Sequence, residues 1–409
     1  MKLAFGVLAL ILAASAADEW PGFRGPNRDG FVPSAAASLP SNWPAQLQPL
    51  WAIEVGEGYS SPVVSGDLVC VHARKADEEN VTCASRASGK VLWTDKYASP
   101  FAKNPYATKM SSGPFASPLL TRGTLYTFGV NAVLTAYDAA SGKIKWRRQP
   151  EKQPVTKNMF CGSSASPLLD QGRLIIYWGD DFGGSINALD PVTGKTIWSW
   201  TGDGPGYASP IAADIGGTRQ YITLSDKSVV GIEAAAGKLL WKSPFKDEWN
   251  ENIVTPVVSA GLLIVSGTRH GLTGLKVARN AKNEWSAEPM WHTNDIAFYM
   301  STPLAENGVL YGLSNKKKGQ FVAVDAATGK LKWSAEGRAA NQAAIVAAGS
   351  NLFALTDDGS LIVASRDPAA FKQIARYDLA PSATYAHPVL AGKQLLIKDQ
   401  THLRAFRLP

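Results

Sequence analysis

From Pro49 onward the chain is written in short apolar runs separated by polar, glycine-bearing turns. One stretch shows the form. Phe115-Ala116-Ser117-Pro118 opens a first apolar run, Arg122-Gly123 turns it, and Leu125-Tyr126-Thr127-Phe128 returns. A third run ends on Asp138, Ser141-Gly142-Lys143 reverses the chain, and a fourth run carries Trp146. Runs this short with turns this tight predict four antiparallel strands. Glycine takes the positive φ of the turn, and the acid ties down its backbone.

The form repeats. The Gly-Lys-x-x-Trp hairpin returns at 89–93, 194–198, 237–241 and 329–333. The opening signature returns as Tyr59-Ser60-Ser61-Pro62, Ser164-Ala165-Ser166-Pro167, Tyr207-Ala208-Ser209-Pro210, Ile253-Val254-Thr255-Pro256, Met300-Ser301-Thr302-Pro303 and Tyr385-Ala386-His387-Pro388. Trp93, Trp146, Trp198, Trp241, Trp291 and Trp333 mark the fourth strands, 42 to 53 residues apart. That interval is one four-stranded propeller blade. A seventh unit, 341–379, lacks the Gly-Lys turn and has Tyr377 at the marker position. The eighth opens at Tyr385 and supplies only three strands, while Trp51 sits on an orphan run, 50–55, ahead of the first signature. Joining that run to the last unit closes the ring and removes two open edges. The prediction is an all-β, eight-bladed β-propeller of four-stranded antiparallel blades over 49–409, closed by its N-terminal strand. If 341–379 is not a blade, the count falls to seven. The tryptophans are predicted to pack blade against blade.

Composition agrees with a turn-dense β protein: 37 Gly, 13 Trp and 18% charged residues. The formal charge of +7 is scattered, largely as the lysine of Gly-Lys turns. No contiguous basic stripe with interleaved aromatics exists, so nucleic acid is not an expected partner. Residues 1–16 read as a signal peptide: Lys2, an apolar stretch too short to span a bilayer, and Ala14-Ser15-Ala16 as the cleavage pattern. A mature chain starting at Ala17, with no integral membrane segment, is then expected in a periplasm or secreted, as a monomer. Residues 17–48 form an arm expected to clip onto the outside of the domain through Trp20 and Phe23, with Arg24 and Arg28 as alternative ligand contacts. Cys70 and Cys83 lie near-opposite on two runs joined by a polar loop, so a cross-strand disulfide is open to them. Cys161 has no nearby histidine in sequence and reads as buried rather than reactive.

The opening signature and the Ala-x-Asp-x-x-Thr/Ser-Gly-Lys-x-x-Trp hairpin resemble the repeats of the quinoprotein (PQQ-type) β-propellers, over nearly all of 49–409. That family contains PQQ- and calcium-dependent dehydrogenases and also propellers without cofactor, such as the periplasmic subunit of the outer-membrane β-barrel assembly machinery, BamB. The resemblance implies, for the enzyme branch, a quinone in the central funnel, a calcium ion on Glu, Asn and Asp oxygens, a carboxylate base, and in alcohol oxidisers a vicinal cysteine pair. No adjacent cysteines and no Cys-x-x-Cys-His haem site occur here. The interblade loops are modest. Asp247, Asn250 and Glu251, with Glu248 and Asn252, form one local cluster of calcium-type oxygens. The histidines show no metal spacing.

Loops 96–114, 147–163, 244–252 and 292–299 each lead from an outer strand to the next inner one. They should therefore emerge together at one mouth of the channel. Tyr59, Phe115, Tyr207, Met300 and Tyr385 hold equivalent positions there, and His387 replaces the usual Ser or Thr before Pro. These six residues are the expected partner-binding positions. No catalytic residue and no cofactor are assigned. The leading reading is a non-catalytic exported scaffold that binds an envelope protein or peptide on this face, as in BamB. The alternatives are a PQQ- and calcium-dependent alcohol or sugar dehydrogenase, and a carbohydrate-binding propeller.

Overall fold

Each four-run unit folds into an antiparallel meander whose first strand faces the channel and whose fourth faces outward. In the second blade these are Leu119–Thr121, Thr124–Phe128, Leu134–Asp138 and Ile144–Arg148. Eight such sheets surround a central channel in the computed structural model, which describes residues 19–33, 39–40, 42–102, 104 and 111–409. The signal-peptide segment lies outside the described residues. Apolar side chains from facing sheets fill the wedges between blades: Val63 and Val81 of the first blade pack with Leu125 and Tyr137 of the second.

The ring closes as the orphan tryptophan suggested. Gln48–Glu54 pairs with His402–Arg407 and completes the sheet of Val389–Ala391 and Gln394–Lys398. Lys398 locks this joint. Its buried ammonium donates to the carbonyls of Gly56 at 2.9 Å, Gly58 at 3.2 Å, Asp399 at 2.7 Å and Gln400 at 3.1 Å. Burial pulls its pKa down to about 7. The carbonyl cage is what makes a buried ammonium tolerable there.

The hairpin tryptophans share one register. Each stands just after a bulge, opposite a small residue of the third strand. Trp93 faces Cys83, Trp146 faces Ala136, Trp241 faces Gly231, and Trp291 faces Gly274. The pairs Trp198–Ala188, Trp333–Ala323 and Trp51–Ala405 complete the set. Six of the seven indoles then reach the following blade. Trp93 Nε1 donates to Ala139 O at 2.8 Å, and Trp51 Nε1 donates to Arg86 O at 2.9 Å. Trp146, Trp198, Trp291 and Trp333 bond the next blade's turn in the same way. Trp241 instead bonds Gln220 Oε1 in its own sheet, at 2.7 Å. In the first blade Cys70 lies opposite Cys83 in this row, and the two are joined by a disulfide.

Two sequence expectations need correction. The seventh blade is present, Ala343–Ala348 through Gln373–Asp378, but Tyr377 is not its marker. The tryptophan row there runs Phe353, Val363, Ala375, matching Tyr126, Ala136, Trp146 in the second blade. Tyr377 lies two residues further on, opposite Leu361. The missing indole comes from elsewhere. Trp43 packs edge-on against Phe353 at 5.6 Å, as Trp146 packs beside Tyr126 at 5.9 Å, and Tyr377 Oη donates to Pro44 O at 2.7 Å.

The part of the arm that carries Trp20 and Phe23 is not on the outside. Glu19–Trp20 pairs with Ser65 and Val64 as a fifth strand on the channel edge of the first blade, with Trp20 fully buried. Leu120 N donates to Pro21 O at 2.7 Å in the second blade, and Phe31 bridges Ala347 in the seventh. The arm thus crosses the channel. The reason is the inner strands themselves, which are sheet edges with unpaired carbonyls. Arg28 Nη1 and Nη2 take those of Pro167 and Pro210, and Arg24 Nη2 takes that of Pro303. Arginines on a segment of turns and bends satisfy what strand pairing cannot.

Candidate functional site

The opening signatures of successive blades stack into two tiers around the channel. The lower tier is the residue before proline. Its hydroxyl accepts the N–H of the same position in the preceding blade. Ser117 Oγ takes Ser61 N at 3.3 Å, Ser166 Oγ takes Ser117 N at 2.9 Å, and Ser209 Oγ takes Ser166 N at 2.9 Å. Thr255, Thr302 and Ser61 continue the belt, the last receiving His387 N at 2.8 Å. This is the physical reason for Ser or Thr in the signature: each caps an inner-edge donor. The belt breaks at the seventh blade, where Ala344 holds the position.

The upper tier lies two residues earlier. Tyr59, Phe115, Tyr207 and Tyr385 supply its aromatic members, and Ser164, Ile253, Met300 and Gln342 fill the other four blades. All line one cavity of about 490 Å³ at the channel mouth. The loops add Phe160, Cys161, Trp249, Glu251 and Tyr299, and Phe23 of the arm forms the floor. Phe23 packs edge-on against His387 at 5.2 Å and has the Arg28 guanidinium 5.5 Å from its centroid. The channel is therefore a blind cup. Tyr59 leans on Tyr385 at 4.3 Å and on Phe115 at 6.0 Å, making an aromatic wall over three adjacent blades.

Every titratable group in the wall is pushed toward its neutral form. Burial raises the Cys161 thiol to about 12, with Glu251 adding to it, so this thiol is not a thiolate. Burial, with Tyr385 next, raises Tyr59 to about 12. Burial raises Glu251 above the usual carboxylate range, although Tyr299 Oη donates to it at 2.6 Å. Burial and the Arg24 charge drop His387 to about 3, so its ring is neutral. Its Nε2 has no partner, and neither does Nε2 of the buried Gln342.

The six mouth positions read from sequence thus meet in one cup. Asp247, Asn250 and Glu251 do not converge as a ligand set. Asp247 Oδ1 caps its own loop by accepting from Trp249 N and Glu251 N, while Glu251 turns to Tyr299. Among the described residues the cup wall holds one carboxylate, already hydrogen-bonded, and no lysine or arginine. An acidic quinone with a divalent cation needs cationic groups for its carboxylates and several convergent oxygens for its metal. This donor set does not fit it. Phe23 was not readable as part of the cup, because the arm's course was not. Gln342 becomes readable once the seventh blade is aligned on Phe353.

A family model described as outer membrane protein assembly factor BamB matches residues 77–317 and again 300–370. BamB of Burkholderia pseudomallei is 22% identical over 352 residues, covering 77% of this chain and 87% of that protein. Quinohemoprotein alcohol dehydrogenase ADH IIB of Pseudomonas putida is 37% identical over 89 residues, covering 20% of this chain. The matched stretch is only 12% of that enzyme's length. The crystal structure of BamB from Moraxella catarrhalis superimposes with a TM-score of 0.60 at 14% identity, covering 88% of this chain and 99% of that one.

Proposed function

The chain belongs to the outer membrane protein assembly factor BamB family, and on that premise we propose that it is an exported, non-catalytic scaffold. It acts in a periplasm or outside the cell and holds a segment of an envelope protein on its loop-rich face, without cofactor. The observation that carries this reading is the cup: a blind, aromatic-walled pocket whose titratable groups are neutral or already hydrogen-bonded. Among the described residues of this wall, burial holds the one thiol protonated, and the one carboxylate is already hydrogen-bonded to Tyr299. What it offers is desolvated aromatic surface, the material of binding hot spots. The Cys70–Cys83 disulfide supports an oxidising compartment.

The test is capture from envelope extract by the purified protein. Tyr59→Ala with Tyr207→Ala is expected to weaken capture several-fold, and unchanged capture would remove the cup from the reading. In parallel, PQQ and calcium are titrated while quinone absorbance and dye-linked alcohol oxidation are followed. Stoichiometric binding with turnover would replace the scaffold by the dehydrogenase.

A further inference from the structure

The cup has a chemical preference beyond being apolar. Its wall over blades eight, one and two is aromatic, through Tyr385, Tyr59 and Phe115. Its volume of about 490 Å³ is room for one or two large side chains, not for a helix or a strand. Charge is disfavoured inside it: burial drives Glu251 and His387 toward neutrality, so an ionised ligand would meet the same desolvation. Besides the Tyr207 hydroxyl, two polar atoms stand unpartnered in this wall on side chains more than nine-tenths buried. They are Gln342 Nε2, a donor, and His387 Nε2 on a neutral ring. Both lie where the hydroxyl belt is interrupted, on blades seven and eight. An unmade hydrogen bond at a buried polar atom is costly, and a ligand that makes it recovers that cost.

Resting on the scaffold reading, we propose that the cup is a receptor for a tyrosine side chain presented by a loop of the partner. The ring stacks on the Tyr59 wall. The phenol hydroxyl accepts from Gln342 Nε2 and exchanges a hydrogen bond with His387 Nε2, which a hydroxyl can do in either tautomer. Phenylalanine fits the wall and leaves both nitrogens unmet. A carboxylate or an ammonium group carries its own desolvation penalty into the cup.

The experiment uses the whole folded protein and small probes, read by ligand-observed NMR: N-acetyl-tyrosinamide, N-acetyl-phenylalaninamide, methyl glucoside and tetramethylammonium. Tyrosinamide is expected to bind about tenfold more tightly than phenylalaninamide, the value of hydrogen bonds otherwise left unmade. His387→Leu and Gln342→Leu should each shrink that preference while phenylalaninamide binding stays. Equal binding of the two amides, no binding of either, or tighter binding of the glucoside or the ammonium ion overturns the proposal. The wild-type comparison decides this even if a variant fails to fold. Capture that depends on Tyr59 and Tyr207 without any tyrosine preference would leave the scaffold standing and remove this inference. A preference without capture would do the reverse.

Discussion

Arg28 Nη1 donates to the Pro167 carbonyl at 2.8 Å, joining residues 139 apart in the chain, while Nη2 of the same guanidinium reaches Pro210 O at 3.1 Å. One planar fork therefore ties the arm to the inner edges of two neighbouring blades. Burial, then the nearby Arg24 charge, lowers the Arg28 pKa to about 9, which still leaves it charged at neutral pH. Arg28→Ala strips both carbonyls of their partner and is expected to cost about 1–3 kcal/mol. Arg28→Lys should not recover the loss, since one ammonium cannot span both carbonyls as a fork does. Urea midpoints measure this, and an unchanged midpoint would mean that water serves those carbonyls equally well.

Blade-to-blade docking is tested at two glycines with nearly the same φ. Gly194 has φ +70°, and a Cβ there would stand 2.8 Å from the Trp146 ring. Gly172 has φ +73° and nothing within 4 Å of the same point. Alanine at either position takes on the left-handed conformation, about 1 kcal/mol. Only Gly194→Ala must also displace an indole, a further ~1–3 kcal/mol. Denaturant unfolding of the two variants should show that gap. Equal losses would mean that the tryptophan moves aside freely and does not fix the blade spacing.

Trp43 stands in for an absent indole, so its loss should be repairable in place. Trp43→Ala is expected to destabilise by about 2–4 kcal/mol, as for other large aromatics removed from packed surroundings. Ala375→Trp alone should also destabilise, because Trp43 already lies against Phe353. Together the two changes should cost clearly less than their sum, since the new tryptophan would occupy the row used in the other blades. A double-mutant cycle reads that coupling directly. Additive losses would show that Trp43 and the 375 position are independent.

This blade also shows why the sequence was legible to different depths. Turn chemistry and the Gly-Lys-x-x-Trp hairpin are local signals, and they gave the blade number and the ring closure by Trp51. In the seventh unit that hairpin is gone. The nearest aromatic, Tyr377, then looked like the marker, although register assigns the place to Ala375. The substitute indole lies more than 300 residues away in sequence and no local pattern points to it. The arm was misplaced for the same reason: Arg24 and Arg28 act on carbonyls of blades three, four and six. The six mouth residues were readable because equivalent positions in a closed ring must meet at one mouth. The loop residues Phe160, Trp249 and Tyr299 follow no repeat, and only the folded loops bring them there.

His387 makes the cup's interior measurable through pH. Its pKa is about 3 in the folded protein, lowered by burial and then by Arg24, against about 6.5 for an exposed histidine. Between those values the unfolded chain binds the proton and the folded one does not. Stability from this group is therefore flat above about pH 6.5 and falls on acidification toward pH 3, by up to about 1.4 kcal/mol per pH unit. His387→Ser, the residue type of the other blades, removes the titration. The variant should match the wild type's slope above pH 7 and lose stability more slowly below pH 6, with carboxylates common to both cancelling in the comparison. Urea midpoints from pH 4 to 8 supply the test. Parallel curves would place His387 in contact with bulk water, and its unpartnered Nε2 could no longer be counted as a buried group waiting for a ligand.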